Sequence, residues 1–139
     1  MQTEVKRTPL DPGSRSEDLG FVGGRKNRTA LWWNACKQAR TASIDFDGGD
    51  WEIVHAGAGT YLVPCDCDAF RVGTFVLDSD AFGLGISIRT MRLMQAGGAI
   101  PCMAKRIAHL EQFAAQHADA EAIAAVADGA QFAVNVGSE

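Results

Sequence analysis

Cys65 and Cys67 flank Asp66 in a C-x-C unit, and thiolates beside a carboxylate are the residue types that ligate metals or attack electrophiles. His55 or His109 would be the nearest imidazoles to complete such a set. A structural zinc site needs four ligands converging on a tetrahedron, and redox and zinc motifs favour C-x-x-C, so no metal is expected. The acid pairs Asp66/Asp68 and Asp78/Asp80 have the composition of general acid–base couples. Acids in loops ahead of a helix serve capping and solvation more often, and these four are carried forward as candidate partner-facing residues. His109 and His117 lie eight residues apart, too far along one helix to act together. The chain has no G-x-S-x-G nucleophile elbow. Its Gly-rich stretches HAGAGT and FGLGIS match neither the Walker spacing nor G-x-G-x-x-G. No catalytic residue and no cofactor is therefore expected, and the sequence reads as a binding protein rather than an enzyme.

The elements that would position these residues follow from apolar spacing. From Asn27, Trp32, Ala35, Cys36, Ala39 and Ala42 recur at helical intervals, with Trp32 facing the core and Trp33 at an edge. Asp47-Gly48-Gly49 marks a turn. Trp51–His55 and Thr60–Pro64 then read as a hairpin around a Gly loop of three to five residues, and Phe70–Leu77 as a third strand. In that hairpin Trp51, Ile53, Tyr61 and Val63 are expected to share the core face. Ser79 and Asp80 are N-cap types ahead of a helix carrying Ala81, Leu84, Ile88, Met91 and Gln95, stopped at Gly97-Gly98. Met103, Ile107, Leu110 and Ala114 define the next helix, and Asp119 opens a short one with Ile123, Val126 and Ala127 that Gly129 ends. Strands grouped apart from helices give the α+β class: one domain, a small antiparallel sheet of three to four strands packed against about four helices. Residues 1–26 read as a flexible N-terminal arm, because Pro9, Pro12-Gly13 and Gly23-Gly24 interrupt a stretch of sparse apolar residues. Residues 27–139 form the domain, and its tail from Ala130 adds a strand or frays.

Composition narrows the function classes. The 139 residues are 47% hydrophobic and 22% charged, as in a globular domain, and no apolar run reaches the roughly 18–20 residues that span a bilayer. The first twenty residues lack an apolar signal segment, so a cytoplasmic location and reduced thiols are expected for Cys36, Cys65, Cys67 and Cys102. The net charge of −4 is uneven. Residues 1–40 hold eight Lys/Arg against four Asp/Glu, while the stretch from Asp45 to Asp80 holds eight acids and one base, Arg71. Mixed charge makes the arm a poor nucleic-acid binder. Eight acids over 36 residues are thin against duplex DNA's one charge per ~1.7 Å, which weakens, without removing, the alternative of an acidic DNA-mimic decoy. A small metal-dependent hydrolase is the remaining alternative.

Three runs carry a resemblance. DFDGGDWEIVHAGAGTYLVP places Gly48, Gly49, Trp51, Glu52, Gly59, Tyr61 and Pro64 in one order. LDSDAFGLGISI follows with Asp80, Ala81, Gly83 and Leu84, and LEQFAAQHADAEAIAAVAD with Leu110, Phe113, Ala114, His117, Ala120, Ile123 and Asp128. In that order, with the Trp32-Trp33 helix ahead of them, these motifs resemble the ArdB/KlcA family of antirestriction proteins. The chain departs from the family pattern at Asp50 and Val54, where Tyr or Phe is expected, and in the C-x-C loop. The resemblance implies a protein that relieves type I restriction of incoming plasmid or phage DNA, with a host restriction-modification complex as partner; an inhibitor of another host defence complex is the alternative within this reading. It supplies no catalytic residues. The motif positions Gly48, Gly49, Trp51, Glu52, Tyr61, Pro64, Asp80, Ala81 and Gly83 are the site residues it marks.

Overall fold

The computed structural model describes residues 5–10, 25–56, 59–98 and 103–129. Their order is β1 (Val5–Pro9), α1 (Arg25–Ala42), β2 (Trp51–Ala56), β3 (Gly59–Pro64), β4 (Ala69–Val72), β5 (Phe75–Asp78), α2 (Ser79–Gly97), α3 (Met103–Ala115) and α4 (Ala120–Ala127). This is an α+β domain, with the helices packed on antiparallel strands. The strands form two sheets, β1-β2-β3 and β4-β5. The single strand expected over Phe70–Leu77 is instead a hairpin, folded at Gly73 with φ +59° so that Phe70 pairs with Leu77. Phe70, Val72 and Leu77 alternate inward there, and Phe70 stacks on Phe82 of α2 at 4.3 Å.

Part of the expected N-terminal arm is a strand. β1 pairs antiparallel with β2, Arg7 opposite Val54, and Leu10 donates its amide to the Trp51 carbonyl at 2.9 Å. Its own sequence has no alternating apolar pattern; the pairing comes from the open edge of β2. Pro9 is tolerated because β1 is itself an edge strand. The helix expected from Asn27 begins at Arg25, and residues 11–24 and the tail from Ala130 lie outside the described residues.

Strand register overturns the expected face. Ala56 pairs with Gly59, leaving two residues between the strands where a longer loop was expected, and Ile53 falls opposite Leu62. A change of one residue in register moves every side chain to the other face. Trp51, Ile53 and Leu62 therefore share one face, and Val54, Tyr61 and Val63 the other. All six are buried, since helices cover both faces. Trp32 of α1 meets Trp51 edge-on at 5.6 Å, and Phe113 of α3 meets Tyr61 at 6.0 Å.

The central helix is α2, buried on every side from Ala81 to Met91. It lies along the outer edge of β3, where strand carbonyls and amides would otherwise be unpaired. Ser87 Oγ accepts from the Leu62 amide at 2.9 Å and donates to the Leu62 carbonyl at 3.3 Å. That approach needs small residues. A Cβ on Gly83 would stand 2.3 Å from the Leu62 carbonyl oxygen, and one on Gly85 would stand 2.8 Å from Val126 of α4. The expected stripes hold for α3 (Met103, Ile107, Leu110, Ala114) and α4 (Ile123, Val126, Ala127), all buried. The cap of α2 is Asp78, whose Oδ1 accepts from the Ala81 amide at 2.8 Å, rather than Ser79 or Asp80.

Candidate partner-binding surface

Most motif residues fall in two groups, Glu52, Tyr61 and Asp80 near Arg7, and Gly48, Gly49 and Trp51 at the turn into β2. In the first, Arg7 gathers residues distant in sequence. Its Nη1 donates to Glu52 Oε1 at 3.3 Å, and its Nη2 bonds to Asp80 Oδ2. Both carboxylates hold the guanidinium charged, Asp80 most strongly. Asp80 and Asp78, at the start of α2, add negative potential at Tyr61, while Arg7 opposes it. Burial pushes the Tyr61 hydroxyl up to about 12, with the Asp80 charge next in effect. Burial likewise pushes the Cys65 thiol up to about 11, helped by Glu52, Asp66 and Asp50. At neutral pH both groups keep their protons, so neither is an activated nucleophile or base.

The acids singled out from the sequence mostly have local partners. Asp78 caps α2 and Asp80 holds Arg7. Asp66 packs over Gly49 and accepts from the Asp50 amide at 3.4 Å. Asp68 is exposed. Asp45 grips Arg71 through both carboxylate oxygens at 2.8–3.0 Å, which lowers its pKa to about 2. The C-x-C unit and His55 sit at opposite ends of the β2-β3 hairpin, since Cys65 follows the Pro64–Trp51 pair and His55 faces Thr60. Cys65 and Cys67 are free thiols.

The second group lines a cleft of about 530 Å³ between α1 (Trp32, Trp33, Cys36, Arg40) and the turn Gly48–Trp51. Gly48 and Gly49 hold φ of +103° and +98°, a region that favours glycine. The turn they make presses Phe46 and Trp32 edge-on against Trp51, at 5.5 and 5.6 Å. The Trp51 ring is 1% exposed, and its Nε1 is buried without a hydrogen-bond partner among the described residues. The Arg40 guanidinium lies 5.8 Å from the Phe46 ring centre. Trp33, read from the sequence as an edge residue, is 70% exposed. Sequence reasoning missed Arg7, and it set Arg40 with Lys37 on the outer face of the helix without counting it among the site residues. Arg40's signal was legible: the exposed positions of α1, Lys26, Thr29, Trp33, Lys37 and Arg40, fall at one helical spacing. Arg7 gave none, because its partners are 45 and 73 residues away.

No family model matches the sequence, and no curated protein matches it. A solved structure of KlcA and ArdB proteins matches its fold with a TM-score of 0.71, at 21% identity, over 92% of this chain and all of that one. The fold is that of KlcA and ArdB. That structure is described as a novel fold with antirestriction activity against type I DNA restriction systems in vivo but not in vitro. On the KlcA/ArdB fold, the motif glycines of this chain have local reasons. Gly49 makes room for Asp66, and Gly83 makes room for β3. Trp51 and Tyr61 are core aromatics on opposite faces of one hairpin.

Proposed function

We propose that this protein is an antirestriction protein that relieves type I restriction of incoming plasmid or phage DNA by binding a host defence complex rather than by catalysis. The observation that carries the reading is the fold likeness to KlcA and ArdB across 92% of the chain. It is supported by the ordered sequence motifs, whose aromatics Trp51 and Tyr61 pack in the core. Among the described residues no helix is long and apolar enough to cross a membrane, and the site of action is the cytoplasm, where restriction takes place. The acidic-decoy alternative is weakened by occupancy. Glu52 and Asp80 are spent on Arg7, Asp45 on Arg71 and Asp78 on a helix cap, which leaves few acids to imitate phosphates. The test is the plating efficiency of unmodified phage on a type I restricting strain. Expression of the soluble protein raises it toward that of a non-restricting strain; no relief overturns the reading.

A further inference from the structure

We infer that the exposed face of α1, with the cleft beside it, docks an acidic protein segment that carries an apolar or aromatic anchor. The inference rests on the antirestriction reading only in naming a protein partner. Helix α1 holds five Lys/Arg and no Asp/Glu in a chain of net charge −4. Lys26, Lys37 and Arg40 make no ion pair among the described residues, while Arg7, Arg71 and Arg92 each hold at least one carboxylate. Trp33 stands among them at 70% exposure, an area of apolar ring that a soluble fold gains nothing by leaving in water. An exposed Trp beside Lys37, with Arg40 one turn further, has the composition of an interface anchor. The adjoining cleft adds depth, and Trp51, which lines it, holds a buried indole N–H without a partner among the described residues. Such a donor favours an acceptor, a main-chain carbonyl or a carboxylate.

The opposite wall decides the class of partner. Asp50 lines the cleft, Asp47 precedes its turn and Asp66 packs on Gly49, and all three are exposed. A nucleic-acid backbone, charged at every step, would be repelled along that wall. A peptide can present its carboxylates to Lys26, Lys37 and Arg40 and lay neutral main chain beside Asp50.

The test titrates the full-length protein with a synthetic Glu/Asp-rich peptide bearing a central Leu-Phe pair, followed by NMR. A basic peptide of the same length and single-stranded oligothymidylate are run beside it. The acidic peptide shifts the indole N–H signals of Trp33 and Trp51 and the amides of α1 and residues 48–50, and the shifts weaken as salt rises. Trp33→Ala and the pair Lys26→Gln/Lys37→Gln, all at exposed positions, keep the wild-type melt and each weaken binding about ten-fold or more. Absence of shifts at these sites, equal binding by the basic peptide, tighter binding of the oligonucleotide, or unchanged affinity in both folded variants overturns the inference. The same variants in the phage assay separate the two readings. If wild type relieves restriction and the variants do so equally, the docking face is wrong and the function stands. If wild type gives no relief, the functional reading fails, and peptide binding at α1 is decided by the titration alone.

Discussion

Arg7 and Asp80 are joined guanidinium to carboxylate across 73 residues of chain, and this contact ties the edge strand β1 to the start of the central helix. Both side chains are partly exposed, so the pair contributes modestly, about 1 kcal/mol or less. Arg7→Gln should therefore lower global stability only slightly while loosening β1. Hydrogen exchange of the β1 amides, compared with those of β3, checks this. Exchange in β1 speeds up several-fold and β3 is unchanged.

Gly83 sits where α2 meets β3, and any Cβ there strikes backbone at 2.3 Å rather than a side chain that can swing away. Gly83→Ala should cost about 1–3 kcal/mol through forced separation of helix and strand. A methyl group added at Gly97 would meet nothing within 4 Å, so Gly97→Ala should cost nothing measurable. Urea unfolding of the two variants gives the comparison.

Trp51 is packed by Trp32 and Phe46 at the base of the cleft-lining turn. Trp51→Ala should destabilise by about 3–5 kcal/mol, as for an aromatic truncated in a core. A melt left unshifted while antirestriction is lost would instead make Trp51 a contact residue.

Tyr61 is the only tyrosine, so tyrosinate absorbance reports it alone. With its ionisation moved from 10.0 to about 12, the folded protein keeps the proton where the unfolded chain loses it. The stabilisation is fully present below pH 10 and is lost as pH rises toward 12. An alkaline titration should show the absorbance step near the upper value in the folded protein, and near the lower one in denaturant.

The Asp45–Arg71 contact works in the opposite direction. Asp45 is depressed to about 2 from an ordinary 3.8, chiefly by hydrogen bonds from Arg71. Its contribution is present above pH 3.8 and is lost as pH falls toward 2. Thermal melts of wild type and Asp45→Asn should differ at neutral pH and converge across that acid window.

Helices α3 and α4 were legible because period and burial coincide there, whereas the turn at Gly73 that splits Phe70–Leu77 into β4 and β5 was not. Met103, Ile107, Leu110 and Ala114 have only one way to reach a core. The Trp32-bearing helix and the hairpin were legible as elements, and so was the turn at Gly48-Gly49; Trp33, expected to pack at an edge, is instead largely exposed.

The sequence by itself determined the α+β class, the order of helices and hairpin strands, the lack of an activated nucleophile motif and the resemblance to ArdB/KlcA, because these depend on local spacing and residue type. Only the tertiary structure decided which face of the hairpin Tyr61 occupies, since one residue of loop length inverts the register and both faces are covered. It also decided that Val5–Pro9 is a strand, that Asp78 rather than Asp80 caps α2, and that Arg7 unites Glu52 with Asp80. Each of these depends on a partner far along the chain, and a contact across 45 or 73 residues leaves no periodic trace in the sequence around either end.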